Sequence, residues 1–132
     1  MSTRSNIGIL NKDKSVTYVY CHSDGYPAYN GKMLLEHYNT EEKVRELLSY
    51  GDISSVGPTI GVKHNFDACD ASMCRFYGRD RGEDGIAPRT KTERKLESFC
   101  EQEYLYLWKD GRWYYSDNDG PLVKLTKKAC KT

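Results

Sequence analysis

The feature that most constrains the fold is a pair of aromatic runs near the end of the chain, residues 104–108 and 113–116, on either side of Asp110-Gly111. An Asp-Gly pair between two such runs favours a two-residue type I′ turn, because both turn positions need a positive φ that these residues tolerate. We therefore predict a β-hairpin at this position.

Other segments have the patterns of strands or of a loop. Residues 6–10 and 16–21 are rich in apolar and β-branched side chains and lie on either side of a turn-forming stretch, which predicts another hairpin. Residues 73–78 predict a third strand, and residues 122–125 predict a short edge strand. The stretch 51–71 has little periodicity and several Gly residues, so we predict a loop there.

Three segments predict helices. Thr40 is a favourable N-cap, and the apolar residues after it recur at helical spacing until Gly51: Val44, Leu47 and Leu48. Asn30 is a candidate cap for a shorter helix. Thr90 and Glu93 form a capping box before a third helix.

The order of these elements predicts an α+β fold, with a mainly antiparallel sheet of about five strands and two to three helices on one face. A chain of 132 residues is long enough for one domain and short for two, so residues 1–132 are interpreted as a single domain. We interpret the basic residues 126–132 as a flexible tail.

Charge and composition limit the classes of partner. The formal net charge of +1 argues against the broad cationic surface that binds duplex DNA. The chain has no run near the roughly 18 apolar residues of a membrane span, and its N-terminus lacks the apolar region of a secretory signal. A cytoplasmic protein with no membrane partner is therefore expected, and homodimerisation through edge strands is compatible with the sequence.

The five cysteines are irregularly spaced, which is typical of reduced thiols. Cys69 and Cys74 with His64 resemble half of a zinc site. A second Cys/His pair at matching spacing is missing, so we predict no metal site.

Residues 21–31 form the strongest candidate for a functional loop. The loop follows a predicted strand and contains more chemistry than a simple connection needs: His22, Asp24, Tyr26, Tyr29 and Asn30. Tyrosine combines an apolar ring with a polar tip and suits a surface that holds a ligand. The alternative is that the tyrosines pack on the sheet and Asp24 forms a turn.

A second candidate loop contains Arg79 and Arg81, within a local basic cluster that also includes Arg75 and Arg89. Arginine binds phosphate and carboxylate groups through two parallel hydrogen bonds. Together, aromatic rings and arginine side chains suit a nucleotide-like anion, provided that the two loops meet at one end of the sheet. The alternative is a self-neutralising surface loop.

Catalysis is less well supported by the sequence. Cys21 and His22 are adjacent on a predicted strand, so their side chains should point to opposite faces and beyond hydrogen-bond reach. We find no Walker, dinucleotide, HExxH or GxSxG motif. We therefore predict no catalytic residue and no cofactor, and keep a small hydrolase or transferase that uses Cys21, His22 or Asp24 as an alternative.

Several motifs together resemble a family of small, largely uncharacterised proteins encoded by bacteriophages and prophages. The matching segments include the opening Met-Ser-Thr-Arg-Ser-Asn-Ile, Cys21-His22 with residues 24–27, residues 29–31, and residues 78–83. The resemblance covers most of residues 1–85 and implies a viral or mobile-element origin. It implies no activity.

Small phage accessory proteins often act by stoichiometric binding, and by analogy the resemblance favours a binding protein. The sequence thus leads to three hypotheses. The first is a phage accessory protein, with a role against host defence, that sequesters a nucleotide-like anion in the host cytoplasm. The second is a protein–protein inhibitor of a host defence factor, and the third is the small enzyme described above.

Overall fold

The computed structural model describes residues 3–67, 72–92, 103–117 and 121–131. Strands β1 (Ser5–Leu10) and β2 (Ser15–Cys21) form the predicted N-terminal hairpin, with Ser5 opposite Cys21 and Leu10 opposite Val16. Asp13 closes the turn, because its carboxylate accepts hydrogen bonds from both the backbone and the hydroxyl of Ser15. This prediction is confirmed.

The aromatic hairpin is also confirmed. Strands β6 (Tyr104–Lys109) and β7 (Arg112–Asp117) pair in antiparallel register. Asp110 and Gly111 have φ angles of 51° and 76°, as a type I′ turn requires. The predicted edge strand is β8 (Val123–Lys124), which pairs with β7.

Three further strands lie within the described residues: β3 (Ile53–Ser55), β4 (Arg75–Phe76) and β5 (Arg89–Thr92). The sheet order is β4-β3-β2-β1-β6-β7-β8, and β5 pairs with the outer edge of β2. The expectation of about five strands is therefore too low, because strands of two to four residues carry no alternation that a sequence can reveal.

The α+β class is confirmed, but the antiparallel description holds only in part. Strand β1 pairs in parallel with β6, and β2 pairs in parallel with β3 at Cys21 and Ile53. The other pairings are antiparallel. A parallel pairing joins segments that are far apart in the chain, so no turn motif in the sequence predicts it.

Helix α2 (Glu41–Ser49) begins as predicted, with the Thr40 side chain accepting a hydrogen bond from the backbone of Lys43. Gly51, at a φ of 82°, follows its end, and a Cβ there would collide with the carbonyl of Ile86. The shorter helix departs from the prediction. A π-helical turn (Pro27–Gly31) leads directly into α1 (Lys32–His37), so Asn30 is buried inside helical structure and caps nothing.

The segment after β4 also departs from the sequence prediction. The strand expected over 73–78 is only two residues long, and Tyr77 starts a short helix, α3 (Tyr77–Arg81). Thr90 lies in strand β5 and is not a helix cap, because residues 89–92 pair with β2. The helix expected after Glu93 lies outside the described residues.

The sheet buries apolar side chains on both faces. One face packs against α1 and α2, and its buried residues include Ile7, Ile9, Val19, Leu34, Val44, Leu47, Tyr106 and Trp113. The opposite face buries Val16, Tyr18, Leu105 and Leu107. The C-terminal segment, which the sequence interprets as a flexible tail, contains a 3-10 turn (Ala129–Lys131), and Cys130 packs in the first core. Among the described residues, every helix is too short or too polar to cross a lipid bilayer.

Candidate functional site

Strand β2 ends by directing two chemically active side chains to opposite faces of the sheet. Cys21 is fully buried in the first core, where its thiol lies 3.4 Å from the Asn30 amide nitrogen. Burial raises the pKa of Cys21 to about 12. The thiol is therefore protonated near neutral pH and is a poor nucleophile. His22 lies on the other face, where its Nδ1 is 2.7 Å from the Tyr20 hydroxyl.

Two of the predicted site residues hold the loop in place. The Asn30 amide donates to the hydroxyl of Ser5 and to the carbonyl of Ser23, both at 3.3 Å, and the residue is fully buried. The Tyr29 hydroxyl donates to the carbonyl of Val56 at 3.0 Å. These contacts anchor the loop to the start of β1 and to the segment after β3, so we assign both residues a structural role.

Asp24 and Tyr26 form an exposed pair on the same loop. Asp24 has a φ of 55°, and the Tyr26 hydroxyl donates to its carboxylate at 3.3 Å. The negative charge of Asp24 raises the pKa of Tyr26. The Gly25 backbone between them donates a hydrogen bond to the carbonyl of Thr3, so the pair lies beyond the end of β2, next to the residues that precede β1.

The two arginines of helix α3 have opposite environments. Arg79 is 12% exposed, and its guanidinium donates to the carbonyls of Ile60 and Cys74 at 2.8 and 3.1 Å and to the Asp80 carboxylate at 3.0 Å. It also lies 4.7 Å above the ring of Phe76. The nitrogen atoms of the Arg79 guanidinium all donate hydrogen bonds within the protein, so few N–H groups remain for a ligand.

Asp80 is the centre of this internal network. Its carboxylate accepts hydrogen bonds from the backbone of Phe76 at 2.8 Å and from the backbone of His64 at 3.1 Å, besides the ion pair with Arg79. Burial pushes the pKa of Asp80 upward, but the hydrogen bonds from Arg79 and the two backbone groups outweigh it and lower the pKa. The network fastens the segment around residue 64 to α3.

Arg81 faces outward. Its guanidinium carbon lies 4.8 Å from the ring centroids of both Phe66 and Tyr77, and the guanidinium pairs with Glu83. The two rings lie 5.5 Å apart at an interplanar angle of 31°. Arg75 also lies over the Phe66 ring, with its guanidinium carbon 4.7 Å from the ring centroid. Two arginines therefore share an aromatic platform.

Ser54 joins this platform to the end of β2. Its hydroxyl accepts a hydrogen bond from Arg75 at 3.1 Å and is also hydrogen-bonded to the Tyr77 hydroxyl. Its carbonyl accepts from the backbone of Ser23 at 3.0 Å, one residue beyond His22. The parallel pairing of β2 and β3 thus brings the two candidate loops to one part of the surface.

Arg4 extends the same surface on the other side of His22. The pair formed by Ser5 and Cys21 places Arg4 and His22 next to each other, one residue further along the two strands. Burial raises the pKa of Tyr20, and the nearby charge of Arg4 opposes this shift. We call this region the arginine–aromatic surface, and it consists of Arg4, Tyr20, His22, Phe66, Arg75, Tyr77 and Arg81.

Of the seven residues predicted from the sequence, the structure brings His22 and Arg81 onto this surface. Arg79, Tyr29 and Asn30 are engaged internally, and Asp24 with Tyr26 forms a separate pair. The prediction left out Arg4, Tyr20, Phe66, Arg75 and Tyr77. Strand alternation signals Tyr20 and the basic cluster signals Arg75, whereas Phe66 lies in a segment with no periodicity.

The described residues contain no group of three or more His, Cys, Asp or Glu side chains that could hold a metal ion. Comparisons with protein-family models, curated proteins and solved structures find no match to this chain. Its function is therefore inferred from the geometry of its own residues.

Proposed function

We propose that the protein is a non-enzymatic binding protein whose arginine–aromatic surface holds a nucleotide-like anion. The observation that carries this proposal is the position of Arg81, stacked on both Phe66 and Tyr77 beside Arg75. Stacking orients the guanidinium plane and reduces the freedom that it would lose on binding a phosphate.

The chemistry of the surface matches the two parts of such a ligand. A base stacks on exposed aromatic faces largely without regard to its identity, and phosphate oxygens accept hydrogen bonds from guanidinium groups. Within the described part of the chain, the ion pair found at the three arginines of the surface is that of Arg81 with Glu83, so a net positive charge remains there. The hydroxyl of Tyr20 and the imidazole of His22 add polar groups for a sugar or a base edge.

The same geometry favours binding over catalysis by cysteine. Cys21 is buried, with a pKa near 12, and His22 lies on the opposite face of the sheet. Activation of a thiol needs a base within hydrogen-bond reach. Together with the resemblance to phage proteins, this supports an accessory protein that sequesters its ligand in the cytoplasm of a bacterial host.

Isothermal calorimetry against a panel of mononucleotides, dinucleotides and cyclic nucleotides tests the proposal. We expect heat for at least one class, and Arg81→Ala should weaken that binding by about tenfold or more, because a hydrogen bond to a charged group contributes about 1.5–3 kcal/mol. Arg112→Ala is the matched control, since Arg112 is an exposed arginine outside the surface.

Two results would contradict the proposal. One is the absence of heat with every member of the panel. The other is equal loss of affinity in Arg81→Ala and Arg112→Ala, which would indicate attraction by net charge with no defined site.

A further inference from the structure

The strand pairings arrange part of the arginine–aromatic surface as a row across four neighbouring strands. Four paired residues with buried side chains lie side by side in β1, β2, β3 and β4: Ser5, Cys21, Ile53 and Phe76. The next residue on each strand, toward the same end of the sheet, projects from the opposite face, because successive side chains of a strand alternate. These residues form the row: Arg4, His22, Ser54 and Arg75.

The two ends of the row are positively charged and lie apart. The backbones of Arg4 and Arg75 are separated by three strand spacings, or about 14 Å, because neighbouring strands lie about 4.8 Å apart. Arg75 is held at its own end, since its guanidinium donates to the Ser54 hydroxyl at 3.1 Å and to the Phe66 carbonyl at 3.2 Å. Arg4 lies at the other end, where its charge acts on the hydroxyl of Tyr20. The row therefore offers two separate positions for an anion.

The middle of the row offers aromatic and hydroxyl groups. The His22 ring lies 6.0 Å from the Tyr20 ring, and its Nδ1 is 2.7 Å from the Tyr20 hydroxyl. On the next strand, the Ser54 hydroxyl is hydrogen-bonded to that of Tyr77. A base and a sugar can contact these groups while phosphates on either side of them reach the arginines.

Nearby carboxylates limit where the anion can lie. Asp52, which lies two residues before Ser54 on the chain, is paired with Arg89 through two hydrogen bonds of 2.8 and 3.0 Å. Exposed Glu103 lies directly beyond Arg4, because the parallel pairing of Ser5 with Tyr104 places the preceding residues side by side. The charge of Glu103 repels a phosphate on that side. A bound anion therefore extends from Arg4 toward β4 and not past β1.

We infer that the surface binds a linear dinucleotide with two phosphate groups. One phosphate lies at Arg75 and Arg81, the other lies at Arg4, and the nucleoside between them lies over His22 and Tyr20. A 5′-phosphorylated dinucleotide has this order of phosphate, nucleoside and phosphate, whereas a mononucleotide reaches only one end of the row. This inference rests on the proposed nucleotide site and specifies the class of its ligand.

Isothermal calorimetry with four adenosine ligands tests the inference: AMP, ApA, pApA and pApApA. AMP and ApA each have one phosphate group, and pApA has two. We expect pApA to bind at least about tenfold more tightly than AMP or ApA, because only pApA supplies a phosphate to both ends of the row. The third nucleotide of pApApA should add less than about threefold, since Glu103 closes the row.

The variant Arg4→Ala separates the two ends of the row, and Arg4 is exposed, so its truncation does not disturb the core. It should weaken pApA by about tenfold and AMP by less than about threefold. It should also reduce the slope of log K against log salt for pApA by about 0.7, as expected for one phosphate contact in a single strand. Arg81→Ala should weaken both ligands, and Arg112→Ala, an exposed arginine outside the row, should weaken neither.

The outcomes distinguish this inference from the proposed function. If AMP binds and loses affinity in Arg81→Ala, but pApA binds no more tightly than AMP, the nucleotide site stands and the inference is overturned. Equal effects of Arg4→Ala on AMP and pApA would also overturn it. A gain of about tenfold from pApA to pApApA would overturn it as well, because the ligand would then be a longer strand. If no nucleotide gives heat, the proposed function fails, and the inference fails with it.

Discussion

The two faces of helix α3 show how one residue type takes opposite roles. Arg79 and Arg81 are two positions apart, and their side chains are 12% and 49% exposed. An α-helix turns by about 100° per residue, so residues two positions apart point in nearly opposite directions. Arg79 therefore enters the network around Asp80, whereas Arg81 lies on the arginine–aromatic surface.

The difference in exposure between Arg79 and Arg81 implies that one arginine contributes to stability and the other to binding. A buried ion pair must satisfy nearly all of its hydrogen-bonding groups, because an unpaired charge in the interior is costly. An exposed arginine is hydrated in the free protein and can exchange water for a ligand. We therefore expect substitutions in the network to reduce the free energy of unfolding and substitutions on the surface to reduce affinity.

The largest effect is expected for Asp80→Asn. The substitution leaves Arg79 without its counter-ion and places an amide opposite two backbone N–H donors, so we expect a loss of about 3–5 kcal/mol in the free energy of unfolding. Urea denaturation followed by tryptophan fluorescence measures it. Glu83→Gln, which breaks the exposed pair with Arg81, should cost only about 0–1 kcal/mol.

The pH dependence of stability gives a second test of the role of the Asp80 carboxyl. The fold lowers the pKa of Asp80 below the ordinary value of 3.8, so its contribution is fully present above that value and is lost as the pH falls through the folded pKa. Acid unfolding of the wild type should therefore include a step below pH 3.8 that Asp80→Asn lacks. If the free energy of unfolding fell equally with pH below 3.8 in both proteins, this role of Asp80 would be contradicted.

An intermediate effect is expected at the end of β2, where Cys21 is inside and His22 outside. Burial raises the pKa of Cys21 from 9.0 to about 12. The unfolded chain therefore loses this proton first, and stability should decline as the pH rises from 9 toward 12. Cys21→Ser replaces the thiol by a group that does not ionise in this range.

The measurement is the slope of unfolding free energy against pH in the alkaline range. The wild type should have the steeper slope, by up to about 1.4 kcal/mol per pH unit for one thiol. A thiol-specific reagent should also modify Cys21 only as the protein unfolds. Rapid modification of Cys21 in the native protein would contradict its assignment to the core.

The smallest effect is expected for Tyr26→Ala. Tyr26 is 39% exposed and bonds only to the neighbouring Asp24 among the contacts described above. Since this pair lies apart from the arginine–aromatic surface, nucleotide affinity should change by less than about threefold, measured by the same calorimetry. A loss as large as that of Arg81→Ala would extend the site to the loop and restore the sequence-based set of residues.

Sequence patterns were reliable where the signal is local. The Asp110-Gly111 turn, the Thr40 cap and the alternation along β2 each depend on residues within a few positions, and each is observed. The alternation also separates Cys21 from His22 without any knowledge of the rest of the fold. Strands β3 and β5 were missed, and β4 is shorter than the predicted strand 73–78, because the pairing partners of these segments, and not their own residues, make them strands.

The candidate site divides in the same way. The amino-acid sequence by itself determined that this protein has two hairpins and a capped helix, and that aromatic and polar side chains follow β2 while arginines lie in a separate segment. Only the tertiary structure decided that the guanidinium of Arg79 forms internal hydrogen bonds while that of Arg81 stacks on Phe66 and Tyr77. It also decided that Ser54 joins this platform to the end of β2, next to His22. The physical reason is that burial and long-range pairing depend on the whole fold, whereas turns and caps depend on neighbouring residues.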